Sequence, residues 1–276
     1  MFRRTRTTRV APAPDWRSFD SVAEAYDRVR APIHQPAALD LVEAMGEPTD
    51  GGFLDVGTGT GVVAAAAEAA GWRPTVGVDR SLPMMERAHG RGLDLLAAAD
   101  AVDLPFRDGR FGAVGAAFVL HTVSRYDTLL FDMTRVLRPG GTLGTATWDW
   151  RRDEFTDTWR AAAETFTTKE LLDDAWRRAA PWADRFSQPD PLEEALRDAG
   201  LRNVRVERRQ YRATVSVQDY LTGREITALG RFLREILGDT LSERFRERVE
   251  ATFRERFDDP IGDTSDALLA VGTKPA

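Results

Sequence analysis

Glycine occupies every second position of the run Gly57-Thr58-Gly59-Thr60-Gly61, and an aspartate, Asp55, stands two residues before it. Ahead of the run lies a short apolar stretch, Phe53 to Val56. Behind it an alanine-rich stretch, Val62 to Ala70, closes at Gly71. A second apolar stretch, Thr75 to Val78, ends in another carboxylate, Asp79. This order of residue types makes a strand, a loop of bare backbone, a helix, and a second strand ending in an acid. The loop lets a ligand approach main-chain atoms, and the acid can accept bonds from both hydroxyls of a ribose. The chemistry implied is the holding of a nucleoside-containing cofactor. Gly57, Thr58, Gly59 and Gly61 would contact it, and Asp79, followed by Arg80, would grip its ribose.

Two cofactors compete for such a loop, a dinucleotide such as NAD and S-adenosylmethionine (SAM). They differ in charge. A dinucleotide sets an anionic pyrophosphate on the helix N-terminus. SAM brings an ammonium, a carboxylate and a sulfonium instead. A carboxylate at Asp55, at the strand end and facing the loop, would repel the first and attract the second. The glycines also read G-x-G-x-G and not G-x-G-x-x-G. Both points favour SAM, with an NAD-dependent oxidoreductase as the lesser alternative.

The chain resembles the class I SAM-dependent methyltransferases, in particular the ubiquinone/menaquinone-biosynthesis group and its small-molecule relatives. Besides the loop, the resemblance is carried by Phe19 to Asp27, by Ala99-Asp100-Ala101-Val102-Asp103-Leu104-Pro105-Phe106, and by Arg135-Val136-Leu137-Arg138-Pro139-Gly140-Gly141. Gly112 departs from the family pattern, which has Asp after the phenylalanine; an effect on local packing is expected. The resemblance implies that Asp100 accepts a bond from the adenine amino group while Ala101 offers backbone. It also implies an N-terminal helix closing over the methionine end, where Tyr26 either bonds the SAM carboxylate or lines the methyl-transfer channel; a core tyrosine is the competing reading. Arg30 reads as a surface arginine, with pairing to that carboxylate as its alternative.

Of the three histidines, His121 ends the fourth strand, the position that faces the sulfonium in this fold. Its pKa suits removal of a proton from an acceptor hydroxyl; pocket wall or backbone anchor is the competing role. His34 and His89 read as structural. Asp149, ending strand five, is a rival base or the cap of the following helix. Five of the seven tryptophans crowd between Trp148 and Trp182. Most are expected to be cap core, while Trp148 and Trp150 would line a pocket for a flat apolar acceptor.

Periodicity supplies the elements that position these groups. Ser21-Val22-Ala23-Glu24 reads as a capping box before a helix that Pro32 breaks, and a second helix ends at Gly46. Strands are expected at Phe53–Val56, Thr75–Val78, Leu93–Ala98, within Phe111–Leu120, and at Thr142–Thr147. Ser81 and Asp127 would cap the intervening helices. The alternation implies an α/β, Rossmann-like, doubly wound and mostly parallel seven-stranded sheet. A helix at Glu193–Ala199 and a strand at Val204–Glu207 resume it, and Ala267–Val271 is expected as an antiparallel edge strand. The domain reading is a mobile arm (1–17), a SAM-binding core (18–148), a helical cap segment (149–188), core (189–214), a second cap segment (215–262) and a last strand (263–276). The second cap segment carries two helical stripes, Leu229/Phe232/Leu233/Ile236 and Leu241/Phe245/Val249/Phe253.

Composition bounds the function. The 276 residues are ample for one large domain with a cap. A net charge of −6 speaks against nonspecific nucleic-acid binding, and Arg208-Arg209-Gln210-Tyr211-Arg212 reads as a solvated strand edge. No apolar run reaches the length of a membrane span, and the Arg- and Thr-rich start lacks the apolar region of a signal peptide. With no cysteine, thiolate metal sites and thiol nucleophiles are excluded, and no metal is expected. The sum is a cytoplasmic enzyme, monomer or homodimer, that methylates a small organic acceptor. The expected reaction is O-methylation of a phenol or hydroxyl. A SAM-fold protein that keeps its cofactor structurally and catalyses a rearrangement or cyclisation is the alternative.

Overall fold

A computed structural model describes residues 15–150 and 153–276. Seven strands form one sheet in the order β3-β2-β1-β4-β5-β7-β6. They are β1 (Phe53–Val56), β2 (Thr75–Asp79), β3 (Leu96–Ala98), β4 (Phe111–Ala117), β5 (Leu137–Asp149), β6 (Arg202–Val215) and β7 (Ile261–Thr273). β1 pairs in parallel with both β2 and β4, so the order reverses between β1 and β4. Ligands settle at such a switch point, outside the carboxyl ends of the strands. All four residues of β1 are buried, as a parallel strand covered on both faces requires. One apolar core forms around Leu54, Val114, Leu130 and Met133, and another around Leu41, Phe53, Trp72 and Ala67.

The antiparallel member belongs to the edge pair, as expected, but lies one place in. β7 runs antiparallel to both β5 and β6, and β6 is outermost. Both are far longer than their apolar patterns suggest. β5 follows β7 only as far as Asp149↔Asp266, whereas β6–β7 pairing continues from Tyr211↔Ser265 to Val215↔Ile261. The two strands therefore leave the sheet as a ribbon.

Gly112 has a steric reason. A Cβ there would lie 2.4 Å from the Asp50 carbonyl oxygen, so the departure from the family pattern lets β4 press against the turn before β1. Two expected caps are corrected. α1 (Ala23–Val29) starts after a 3-10 turn, Asp20–Val22, and Ser21 caps nothing. α5 (Tyr126–Val136) has Arg125 at its cap position, with Asp127 inside the first turn. Ser81 does cap α4 (Leu82–Gly90), its hydroxyl accepting from the Met84 N–H. Pro32 opens α2 (Ala31–Ala44), where a missing N–H costs nothing.

The remaining helices are α3 (Val62–Ala69), α6 (Glu154–Ala163), α7 (Lys169–Ala179), α8 (Ala183–Phe186), α9 (Pro189–Asp198), α10 (Val217–Glu225) and α11 (Ala228–Arg256). α11 is broken at Gly238, whose φ of 67° lies in the left-handed region. The two stripes expected for the second cap segment are thus the two halves of α11, and α10 is an additional helix before them. Trp159, Leu172, Leu221, Leu233, Phe245 and Phe253, from α6, α7, α10 and α11, form a third apolar cluster. Ile236 and Leu241, at the break, stay exposed.

Residues 1–14 of the expected arm lie outside the described residues, but 15–17 are held. The buried Arg231 guanidinium donates to the carbonyls of Trp16, Arg17 and Ile226 and stands 4.5 Å over the Phe19 ring. Trp16 packs edge-on against Phe232.

Candidate active site

The glycine spacing has a backbone cause. Gly57, Gly59 and Gly61 have φ of 69°, 54° and 83°, so the loop alternates left-handed residues with Thr58 and Thr60. At Gly57 a Cβ would meet Val119 Cγ2 at 2.5 Å, and at Gly61 it would meet the Ala88 Cβ at 3.0 Å. At Gly59 it would meet nothing closer than 3.9 Å. Gly57 and Gly61 thus let the loop pack on the protein, whereas Gly59 leaves its outer side open. The Thr58 N–H donates to the Val78 carbonyl, fastening the loop across β2.

The two expected acids lie beneath this loop. Asp79 accepts from the Gly59 N–H at 2.8 Å with one oxygen and from the Ser81 N–H at 2.8 Å with the other. Asp55 is buried; its Oδ2 accepts from the Thr58 hydroxyl at 2.7 Å and from the Ala64 N–H at 3.1 Å. Burial pushes the Asp55 carboxyl up to about 7, against the lowering effect of those two bonds. Asp55 thus faces the loop as expected, through Thr58, and does not itself line the adjoining cleft. The first turn of α3 leaves N–H groups without helical partners, and this carboxylate serves one of them.

A cleft opens beside the loop. Gly57, Thr58, Gly59, Thr60, Val62 and Val63 line one side, and Tyr26, His34, Ala38, Ala117 and Phe118 the other. Tyr26 is thus on the cleft and not only in the core. Its hydroxyl lies 3.1 Å from His34 Nδ1. Burial raises the Tyr26 phenol to about 12 and lowers His34 to about 3, so both are neutral at ordinary pH. His34, read from the sequence as structural, is a cleft residue. Its one sequence signal is a spacing of about two helical turns from Tyr26, obscured by the joint at Arg30 between α1 and α2. Phe118 was also missed: it has φ of 61°, unusual for a bulky residue, and stacks on Trp148 with centroids 4.1 Å apart.

His121 lies in a neighbouring aromatic group and does not line the cleft. It is buried, its Nδ1 has no hydrogen-bond partner, and burial lowers it to about 4. Trp150 stands edge-on to it at 5.2 Å and meets Trp176 at 4.9 Å. The two groups are near enough that a charge on His121 opposes one on His34, whose ring lies 5.5 Å from that of Trp148. Asp149 does not cap the following helix. It ion-pairs with Arg208 of β6, and Asp153 caps α6 by accepting from the Thr156 N–H. Asp100 is exposed, holds the Val102 N–H at 3.1 Å, and stands with Ala101 beyond β3, away from the cleft lining. Arg80 is exposed beside Asp79. Among the described residues no group of His, Asp and Glu could hold a metal ion, and no helix is long and apolar enough to cross a membrane.

Residues 54–144 match the model of a family described as a methyltransferase domain. The match begins in β1 and ends in β5, leaving the cap outside it. The demethylmenaquinone methyltransferase of Roseiflexus castenholzii is 35% identical over 158 residues, 49% of this chain and 63% of that protein. The ubiquinone/menaquinone biosynthesis C-methyltransferase UbiE of Desulfotalea psychrophila is 36% identical over 132 residues, 45% of this chain and 53% of that protein. The chain therefore spans somewhat over half the length of these curated relatives. The crystal structure of the cyclase SpnF has a similar fold, with a TM-score of 0.54 at 21% identity over 96% of this chain and 99% of that one.

Proposed function

We propose that this chain, whose residues 54–144 form a class I SAM-dependent methyltransferase core, transfers a methyl group from SAM to a small, largely apolar acceptor. What carries the reading is the left-handed glycine loop, tied to Asp79 through the Gly59 N–H, with Gly59 open towards a cleft walled by Tyr26, His34 and Phe118. These residues fit SAM. The loop offers bare backbone, Asp79 keeps lone pairs for ribose hydroxyls, and the aromatic wall suits a sulfonium through its π faces. When bound, SAM supplies an electrophilic methyl group that a nucleophile displaces in line from sulfur.

The protein's part is chiefly to hold nucleophile and methyl in line and to exclude water. Asp100 and Ala101 would serve the adenine edge. Trp148 and Trp150 would line the acceptor side. His121 would take the hydroxyl proton; burial keeps its ring neutral above about pH 4, and an acceptor would have to enter the aromatic group beside the cleft to reach its Nδ1. The finer reading is O-methylation of a phenol or hydroxyl.

The relatives named as C-methyltransferases favour a second reading, methylation at a carbon made nucleophilic by the same deprotonation. A non-methylating cyclisation is the third, since a cyclase has the same fold. Calorimetric titration with S-adenosylhomocysteine (SAH), with NAD in parallel, tests the cofactor. SAH alone is expected to bind, and NAD binding alone would overturn the reading. Mass spectrometry of the product then separates gain of one methylene from an unchanged mass, and NMR separates O- from C-methyl.

A further inference from the structure

One side chain spans the two walls of the cleft. Arg91 follows the last turn of α4, and its Nε donates to the Thr60 carbonyl at 2.9 Å, on the loop wall. Its Nη2 donates to the Asp27 carboxylate of α1, next in sequence to Tyr26 on the opposite wall. The loop is seated on the same end of α4, where Gly61 packs against Ala88. α1 itself buries little, only Ala23 and Val29 of its seven residues. Its other polar contacts leave the loop untouched. Glu24 pairs with Arg87 of α4 at 3.2 Å, and Arg28 with Asp219 of α10 at 2.8 Å. Arg30, at the end of α1 and expected at the surface, is half-buried; its stem lies against α10, with Cδ 3.8 Å from the position of a Cβ on Gly223. α1 is thus gripped by the cap on one side and by α4 on the other, and Arg91 carries that grip to the loop.

A guanidinium is a rigid planar fork that keeps its charge, so its donors cannot be re-aimed one at a time. With Nε on a main-chain carbonyl and Nη2 on a carboxylate, any shift of α1 away from the loop breaks a charge-assisted bond. An exposed ion pair by itself contributes little to stability, and the Arg91 side chain is 36% exposed. Its leverage comes from what it joins. A cofactor needs both walls in place, and its apparent affinity falls by the inverse of the fraction of molecules in which they are. A helix that buries only two residues leaves that fraction sensitive to a single tie.

We propose that Arg91 is a positioning residue for the cofactor, tying the glycine loop to α1 and so holding the Tyr26 wall against the loop wall; the inference rests on the SAM-binding reading above. Calorimetry with SAH, and hydrogen exchange of the ligand-free protein, test it on Arg91→Met, Asp27→Asn, the double variant and Arg87→Met. Arg91 and Asp27 are both partly exposed, so these variants keep their fold. SAH affinity is expected to fall at least about threefold in Arg91→Met and in Asp27→Asn by the inverse-fraction rule. The double variant should bind no more weakly than Arg91→Met, because both changes remove the same tie. Without ligand, the amides of residues 23–29 should exchange at least about threefold faster in all three. Arg87→Met breaks the neighbouring pair between the same two helices and leaves the loop alone, so it should bind SAH like the unaltered protein. Losses that add in the double variant, or an equal loss in Arg87→Met, overturn the inference, since the arginines would then act only through general charge. Unchanged SAH affinity or unchanged exchange in Arg91→Met overturns it as well. Failure of SAH to bind the unaltered protein, with α1 exchange raised in Arg91→Met and Asp27→Asn, counts against the SAM-binding reading and leaves the tie between loop and α1 standing.

Discussion

Alanine at Gly57 and at Gly59 should separate folding from binding. Both residues are left-handed, so each alanine carries a backbone penalty of about 1–2 kcal/mol. At Gly57 the new methyl would also sit 2.5 Å from Val119 Cγ2. Overpacking of that kind adds about 1–3 kcal/mol. Gly57→Ala is therefore expected to lose about 2–5 kcal/mol by the sum of these two effects, and Gly59→Ala only about 1–2. In a chain of this size each kcal/mol lowers the melting temperature by roughly 2–4 °C. Binding should order the variants differently. The Gly59 methyl projects on the cleft side, so a cofactor lying against the bare loop is displaced, and SAH affinity should fall at least about tenfold, or 1.4 kcal/mol. Denaturant titration of both variants, followed by calorimetry with SAH, reads the two quantities separately. Equal stabilities would refute the steric account of the loop. Undiminished SAH affinity in a folded Gly59→Ala protein would refute the claim that ligand touches this backbone.

Other substitutions probe the remaining groups. Asp79→Ala should abolish SAH binding, measured by calorimetry, because the ribose acid and the anchor of the Gly59 N–H go together. His121→Ala should leave SAH affinity intact and lower turnover about 10²-fold or more, the usual range for a general base; full activity would eliminate it as base. His34 and His121 are held well below the 6.5 of a free histidine, so the unfolded chain binds more protons between pH 6.5 and 4. Their contribution is complete above pH 6.5 and is lost on acidification. His34→Phe should lose about 2 kcal/mol less than the unaltered protein between pH 6.5 and 4.5 in denaturant titrations, and parallel curves would contradict the burial assignment. Arg231→Met takes a donor from the buried Ile226 carbonyl and from the part-buried carbonyls of Trp16 and Arg17, and a loss of about 2–4 kcal/mol is expected by thermal denaturation.

The parallel half of the sheet was legible because its rules are local. A short, mostly apolar strand followed by a helix repeats from Phe53 to Ala98, and the positions follow within a residue or two except for β3, which begins at Leu96 and not Leu93. The right-hand strands were not. β6 alternates exposed charged residues along the outer edge, so an apolar-run criterion found only Val204–Glu207 of Arg202–Val215. In the site, the glycines and Asp79 announced themselves by spacing. Asp55 did not announce its direction, since a carboxylate at a strand end can turn to ligand or to the nearest free helical N–H, and only packing decides. His34 and Phe118 reach the cleft through a helix joint and a left-handed backbone turn, neither of which has a periodic signature. Asp149 ends β5 as expected, whereas His121, expected to end the fourth strand, lies in a turn four residues beyond β4; the side-chain partners that decide their roles come from β6 and the cap.

Val215 and Ile261 face each other across the last rung of the ribbon. Everything from 216 to 260, including α10 and both halves of α11, is an excursion that leaves and returns at one point. A two-residue turn of the kind that closes ordinary hairpins could bridge that point. The sheet's hydrogen-bonding ladder would be unbroken by the excision, while Leu221, Leu233, Phe245 and Phe253 would leave with the removed piece and strip Trp159 and Leu172 of their cover. The fold thus treats this helical element as a cassette plugged into a finished scaffold, exchangeable for another of different shape provided it covers the same apolar face of α6 and α7.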